Sequence, residues 1–212
     1  MTGVKIFIRV LISAVLLSLA YPPFGLGFLA WFALIPLFPL LESLTTRRIF
    51  FWTWLSGLLF FFATVSWMRH VTYIGMILAV LVLAVFHALP FTLAGIIKQR
   101  NSRLWLIALP FIIAGLEWVR SFDVLAFPWM IYGNSQTCYP WLIQFADITS
   151  AFGVSWWAAM VNVSIYLLLL RRTVGRAVFL MLLFLVPLGY SQAVLRSAPN
   201  PGKQLRVSLI QG

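Results

Sequence analysis

The residues best suited to chemistry in this sequence stand close together, in the stretch E-W-V-R at positions 117–120. Glu117 and Arg120 are three residues apart, which places them on one face of a helix, where their charges could neutralise each other. Charged side chains are costly beside lipid, so charges within or next to apolar segments are functional candidates. Two hypotheses stay open for the pair: a structural ion pair that fixes helix packing, or a polar patch that receives a headgroup or a peptide.

A second group of candidates follows in the longest connection between apolar segments, SFDVLAFPWMIYGNSQTCYPWLIQFADI at 121–148. Trp129, Tyr132 and Gln136 are the candidate binding residues in it. Each aromatic ring alone is typical of the belt that sits at headgroup depth in membranes. The density of polar groups among the rings is less ordinary, and loops held on a rigid scaffold often carry function. We therefore predict a binding surface here.

No residue pattern predicts nucleophilic catalysis or a metal site. Cys138 is the single cysteine, and no histidine lies near it in sequence, so it is better interpreted as a small apolar side chain than as a nucleophile. His70 and His87 are too few and too far apart to indicate metal ligands. We predict no catalytic residue, no metal and no cofactor in this chain.

The composition places these candidates in a membrane protein. The chain has 212 residues, of which 63% are hydrophobic and 9% charged, whereas soluble domains carry roughly 25% charged residues. The formal charge of +11 could indicate a nucleic-acid partner, but the basic residues occur in short clusters between apolar runs. That pattern is typical of loops facing anionic lipid and cytoplasm, so we expect no nucleic-acid partner.

Apolar runs predict a membrane all-α fold, a bundle of about seven transmembrane helices. The expected spans are 5–21, 26–42, 49–68, 73–97, 104–121, 149–170 and 176–195. The first is interpreted as a retained span rather than a cleaved signal, because Tyr21-Pro22-Pro23 and another apolar run follow at once. Ten of the fifteen basic residues fall on the side of the N-terminus, which predicts a cytoplasmic N-terminus and an extracytoplasmic C-terminus.

The last nine residues, QLRVSLIQG, have a different pattern. Leu205, Val207 and Leu209 alternate with Arg206 and Ser208 after the Pro/Gly-containing S-A-P-N-P-G-K stretch, which predicts a β-strand after a linker. We therefore expect a helical domain at 1–196, and a linker with one strand at 197–212. A single strand has no partner to pair with.

Several of these stretches, taken in order, resemble the bacterial apolipoprotein N-acyltransferases. They are Y-P-P-F-G at 21–25, E-W-V-R at 117–120, F-P-W-M-I-Y-G-N-S-Q at 127–136 and R-V-S-L-I-Q-G at 206–212. The resemblance implies a multi-pass protein of the bacterial inner membrane whose helical domain precedes a nitrilase-like α/β domain in the periplasm. The terminal strand would be the first strand of that domain, which implies that the chain is truncated.

The resemblance also implies a reaction. A Glu–Lys–Cys set in the nitrilase-like domain takes an acyl chain from a membrane phospholipid as a thioester, and passes it to the α-amino group of a lipoprotein's diacylglyceryl-cysteine. None of those three residues is expected in this chain, so we expect the fragment alone to be inactive. Glu117, Arg120, Trp129, Tyr132 and Gln136 would place lipid or hold the periplasmic domain. Asn134 stands where the family more often has tyrosine.

Two other functions stay open from the residues. The chain could be a stand-alone anchor for a separately encoded nitrilase-like or glycosyltransferase subunit. It could also be a small transporter, although transporters concentrate charges near the bilayer midplane. Glu117, Arg120, Asp123 and Asp147 instead cluster near one predicted membrane face.

Overall fold

The structure is a computed structural model that describes residues 2–101, 104–122, 127–197 and 208. The described residues form helices and loops and contain no strand. The predicted strand at 205–210 and Asp123 lie outside the described residues, except for Ser208.

Eight α-helices follow one another in the described residues. They are α1 (Gly3–Ala20), α2 (Ala30–Ala33), α3 (Phe38–Ser43), α4 (Thr46–Val65), α5 (Tyr73–Arg100), α6 (Leu104–Val119), α7 (Ala146–Leu170) and α8 (Val174–Ser197). Four described segments are 3₁₀-helical: Gly27–Leu29, Ile35–Leu37, Ser66–His70 and Tyr132–Gln136.

Within the part of the chain that the structure describes, five helical segments are long and apolar enough to cross a membrane: Gly3–Ala20, Thr46–His70, Tyr73–Arg100, Ala146–Leu170 and Val174–Ser197. Two further apolar segments, Gly27–Ser43 and Leu104–Val119, are shorter. At 1.5 Å per residue, the 16 residues of α6 extend about 24 Å, less than the ~30 Å hydrocarbon core of a bilayer. The described part of the molecule is all-α with five candidate membrane spans, consistent with a membrane all-α domain, and the count of about seven spans stays a prediction.

The second expected span, 26–42, is not one continuous helix. It is divided into two short α-helices and two 3₁₀ turns, and Pro36 and Pro39 lie inside it. Proline lacks the N–H group that would continue the helical ladder. Broken backbone at membrane depth is tolerated where other protein groups bond it. Here α7 does so, because the Leu34 N–H donates to Asn162 Oδ1 over 2.9 Å.

Contacts between segments define two ends of the bundle. At the loop end, the residues after α4 meet the connecting loop (residues 127–145), and Trp67 stacks on Trp129 with ring centroids 5.0 Å apart. At the opposite end, Gln99 near the end of α5 donates to Thr46 at the start of α4 over 2.8 Å. The helices α4 and α5 therefore run in opposite directions.

Basic side chains concentrate at the opposite end. The described ones on segments that begin or end there are Lys5, Arg9, Arg47, Arg48, Lys98, Arg100, Arg171, Arg172 and Arg176. This distribution is the one expected of a cytoplasmic face, and the orientation in the membrane stays a prediction.

Candidate functional site

The connecting loop lies across the loop end of the bundle and turns sharply before its 3₁₀ helix. Met130 has a φ of 56°, in the left-handed region that non-glycine residues rarely adopt. Bonds on both sides hold this turn: Arg120 Nη2 donates to Trp129 O over 3.3 Å, and the Tyr21 hydroxyl donates to Ile131 O over 2.9 Å. Residues far apart in sequence therefore fix the loop at its most unusual backbone position.

Glu117 and Arg120 project from the end of α6 towards this loop. Glu117 Oε1 accepts from the Tyr132 N–H over 2.6 Å, while Arg120 donates to the Trp129 carbonyl. Among the described residues, no contact of 4.0 Å or less joins the two charged groups themselves. A direct ion pair, which was one of the two hypotheses for these residues, is not found. The anion binds a backbone donor and the cation a backbone acceptor, so the two charges hold the loop instead of each other.

Tyr132 belongs to a buried hydrogen-bond network that the sequence did not predict. Its hydroxyl donates to Ala30 O, and Asn162 Nδ2 lies 3.1 Å from the Tyr132 oxygen, 2.8 Å from Ala30 O and 2.9 Å from Ala158 O. Burial raises the pKa of the Tyr132 phenol above its usual value, so the hydroxyl stays protonated and acts as a donor. In the sequence, Asn162 could have been recognised as a lone side-chain amide within the apolar run of α7.

Gln136 joins the loop to the segment after α1. Its Oε1 accepts from Trp31 Nε1 over 2.9 Å, and its Nε2 donates to Gly27 O over 2.9 Å and to Ser135 Oγ over 2.8 Å. The side chain is fully buried. All three bonds are internal to the protein, so they position the loop, and a direct contact of Gln136 with substrate stays a prediction.

Two glycines allow the loop to pack this closely. A Cβ atom on Gly133 would lie 2.4 Å from Ala151 O and 3.0 Å from Ser155 N. A Cβ on Gly27 would lie 2.3 Å from Ser135 O. Because the loop and α7 are this close, the Gly133 N–H donates to Ser155 Oγ over 2.7 Å. The backbone of the loop thus packs directly against α7 and against the segment that follows α1.

Trp129 differs from the other candidates because it is exposed. Its side chain is 46% accessible, and it stacks on Phe127 as well as Trp67, with ring centroids 5.4 Å apart for the Phe127 pair. It borders an open groove of about 590 Å³ at the loop end, lined by Tyr21, Pro22, Pro128, Trp129, Met130, Ile131, Asn134 and Thr137. The groove is of the size in which proteins bind small molecules or parts of larger ones.

A smaller cavity of about 50 Å³ lies beneath the loop, between α4, α5 and α6. Glu117, Arg120 and His87 contribute to its lining. Glu117 Oε2, Arg120 Nε and His87 Nε2 are buried and have no hydrogen-bond partner among the described residues. Most of the lining is apolar, and these polar atoms border one part of it. A cavity of this volume can accommodate a few water molecules, which could bond the side of Glu117 and Arg120 that does not bond the loop.

Cys138 lies on the loop surface, and its Sγ is 3.7 Å from Ser135 O. In the part of the chain that the structure describes, no group of three or more His, Cys, Asp or Glu side chains could hold a metal ion. The loop end thus presents exposed stacked aromatic rings, a groove, and buried hydrogen bonds that support the loop below it.

Comparison with known proteins decides the family. The family model described as the apolipoprotein N-acyltransferase N-terminal domain matches residues 13–164. The chain belongs to this family. The matched residues include all five predicted binding residues, from Glu117 to Gln136, and the helices that position them. The resemblance inferred from the four sequence stretches is confirmed.

Three curated relatives show how much of the family protein is present. Apolipoprotein N-acyltransferase of Chlorobaculum tepidum is 34% identical over 98% of this chain and 41% of its own length. The enzymes of the same name from Geobacter metallireducens and Coxiella burnetii are each 32% identical, over 97% and 95% of this chain and 43% and 44% of their own lengths. The chain thus spans less than half the length of these relatives.

Proposed function

We propose that this chain is the membrane domain of an enzyme that transfers an acyl chain from a phospholipid to the α-amino group of a lipoprotein's diacylglyceryl-cysteine. The similarity to the N-terminal domain of apolipoprotein N-acyltransferases supports the assignment. The observation that carries the role of this domain is the groove beside Trp129, held open by a loop whose backbone is bonded to α6, α7 and the segment after α1.

In this proposal, the groove binds the lipid portion of a substrate. Both substrates carry acyl chains and a polar, interfacial head, and the groove combines prolines and aromatic rings with Asn134 and Thr137. An exposed indole suits the boundary between hydrocarbon and water, because its body is apolar and its N–H group is polar. Trp129 would contact the lipid directly. Glu117, Arg120, Tyr132 and Gln136 would hold the loop that presents it.

Bond formation is assigned to a nitrilase-like domain with a Glu–Lys–Cys set, as the family resemblance implies. Cys138 does not fit that role, since its recorded hydrogen-bond contact is with a backbone carbonyl, whereas a nucleophilic thiol needs an activating base. We therefore expect residues 1–212 by themselves to transfer no acyl group. Acylation of a diacylglyceryl peptide by the purified chain, lost on Cys138→Ala, would contradict this assignment.

The binding role can be tested on the chain itself in lipid nanodiscs. A diacylglyceryl-cysteine peptide with a photoreactive acyl chain is crosslinked, and the labelled residues are identified by mass spectrometry. We expect labelling of residues 127–137, reduced about tenfold by Trp129→Ala, on the basis of roughly 1.5 kcal/mol for a lost aromatic contact.

Trp141 supplies a matched control. It is 48% accessible, belongs to the same loop and packs on Tyr139, but it does not line the groove. Trp141→Ala should leave the labelling unchanged. Equal losses in the two variants, or labelling spread evenly over the helices, would refute a specific lipid site at Trp129.

A further inference from the structure

A second groove lies at the opposite end of the bundle, where α1 begins and α7 ends. It has a volume of about 540 Å³. Three elements form it: the first turns of α1, the broken segment around its two prolines, and the last turns of α7. Its lining includes Lys5, Arg9, Ile12, Pro36, Pro39 and Tyr166.

The charges of this groove have one sign. Lys5 and Arg9 are four residues apart on α1, so they lie on the same helix face. No carboxylate lines the groove among the described residues. The nearby acid Glu42 is exposed and is engaged by Tyr166, whose hydroxyl donates to its Oε1 over 2.7 Å. No ion pair of 4.0 Å or less neutralises Lys5 or Arg9 within the described part of the chain.

The rest of the groove is apolar, and its residues are arranged along the direction of the helices. Ile8 lies between the two cations along α1 and Ile12 follows them, and Ile12 is 45% accessible. Prolines 36 and 39 interrupt the neighbouring helix and face the same space. The groove therefore has two cations at one end and apolar side chains along the direction of the helices. This arrangement fits a lipid with an anionic headgroup and an extended acyl chain.

This groove is separate from the site at Trp129. Lys5 precedes Tyr21, which bonds the connecting loop, by 16 residues of mostly helical chain. At 1.5 Å per residue this corresponds to about 24 Å along the helix axis. A lipid bound here would therefore occupy the other leaflet from one bound beside Trp129.

We propose that the groove binds one anionic phospholipid of the phosphatidylglycerol type, with its phosphate between Lys5 and Arg9 and an acyl chain along Ile12 and the broken segment. The zwitterionic phosphatidylethanolamine carries its own ammonium group next to the phosphate, so it gains less from the two cations. The lipid would fill the surface at which the second apolar segment departs from a regular helix. The proposal is independent of the acyl-transfer function.

The experiment measures lipids that remain on the purified chain. Protein in nanodiscs of equal phosphatidylglycerol and phosphatidylethanolamine is extracted into mild detergent, and retained lipids are counted by native mass spectrometry. We expect one phosphatidylglycerol on the wild type. The double variant Lys5→Gln/Arg9→Gln should weaken its retention at least fivefold, because each basic residue near an anionic lipid contributes about 1 kcal/mol. Millimolar inorganic phosphate should not displace the lipid, since a free anion lacks the acyl chain.

Two further variants distinguish a defined lipid site in the groove from non-specific attraction of anionic lipid to the basic end of the bundle. Arg47→Gln/Arg48→Gln removes the same charge from the same end of the bundle but outside the groove, and it should retain the lipid. Ile12→Trp fills the apolar channel without changing charge and should lose it. Equal weakening by both charge variants, or retention of phosphatidylethanolamine to the same extent as phosphatidylglycerol, would overturn the proposal. Unfolding temperatures of all variants in the same detergent show which of them retain the fold.

Discussion

Replacement of Gln136 by alanine tests whether the connecting loop is held by buried hydrogen bonds. The wild-type amide makes three: it accepts from Trp31 Nε1 and donates to Gly27 O and Ser135 Oγ. Alanine leaves the indole N–H and a backbone carbonyl without these partners. The orientation of the amide is fixed by the indole, because Trp31 Nε1 can only donate.

The expected loss of stability follows from the number of hydrogen bonds that the Gln136 amide makes. Hydrogen bonds within membrane proteins contribute about 0.6 kcal/mol on average, and those in soluble proteins about 1 kcal/mol. Three bonds, together with the desolvated groups left behind, give an expected loss of about 2–4 kcal/mol in the free energy of unfolding. Gln136→Glu should lose more, since it keeps the acceptor for Trp31 but buries a charge facing the Gly27 carbonyl.

The measurement is unfolding by dodecyl sulfate in mixed micelles, followed by the fluorescence of the ten tryptophans. Gln144→Ala is the control: it lies in the same loop, and its Nε2 donates only locally, to Pro140 O over 2.6 Å. It should cost less than about 1 kcal/mol. A loss for Gln136→Ala within about 0.5 kcal/mol of the control would show that these bonds do not hold the loop.

Two further changes test the supports of the loop on α7, by the same unfolding measurement. Asn162→Leu leaves the Leu34 N–H and the Tyr132 hydroxyl without their amide partner and should cost about 2–4 kcal/mol; a loss below about 1 kcal/mol would contradict the network. Gly133→Ala forces a Cβ atom against Ala151 O and should cost about 1–3 kcal/mol. Gly115→Ala, where a Cβ would meet nothing within 4 Å, should be neutral or stabilising by up to about 1 kcal/mol.

The long helices could be predicted from the sequence because their signal is local. Apolar runs bounded by basic clusters or prolines placed five spans within a few residues of the observed helices: 5–21, 49–68, 73–97, 149–170 and 176–195, against α1, α4, α5, α7 and α8. Hydrocarbon thickness sets their length, so composition within a window is sufficient. The interruption of 26–42 was missed because hydropathy measures how apolar a segment is, and two prolines reduce that measure very little.

The sequence identified residues of the candidate site, but it did not predict the contacts that they make. Glu117, Arg120 and Gln136 were recognised because polar groups near lipid are rare. Apart from Ser135, which is adjacent to Gln136, their partners are 9 to 109 residues away in sequence, and no local pattern encodes such distances. The i, i+3 spacing suggested that Glu117 and Arg120 pair with each other, but the backbone of the loop competes for both charges and binds them.

The predicted binding residues have two different environments in the structure: some bond the backbone of the loop, and Trp129 is exposed at the groove. Non-helical backbone near a bilayer needs bonding partners from the protein, and the connecting loop and the segment after α1 obtain theirs from Glu117, Arg120, Gln136 and Asn162. These side chains are therefore committed to holding the backbone. The Trp129 ring is half exposed at the groove, and its contacts are the stacked rings of Trp67 and Phe127. Substitution at Trp129 should thus weaken lipid binding directly, with a loss of stability limited to these two ring contacts, while substitution at Gln136 should lower stability first and binding only through it.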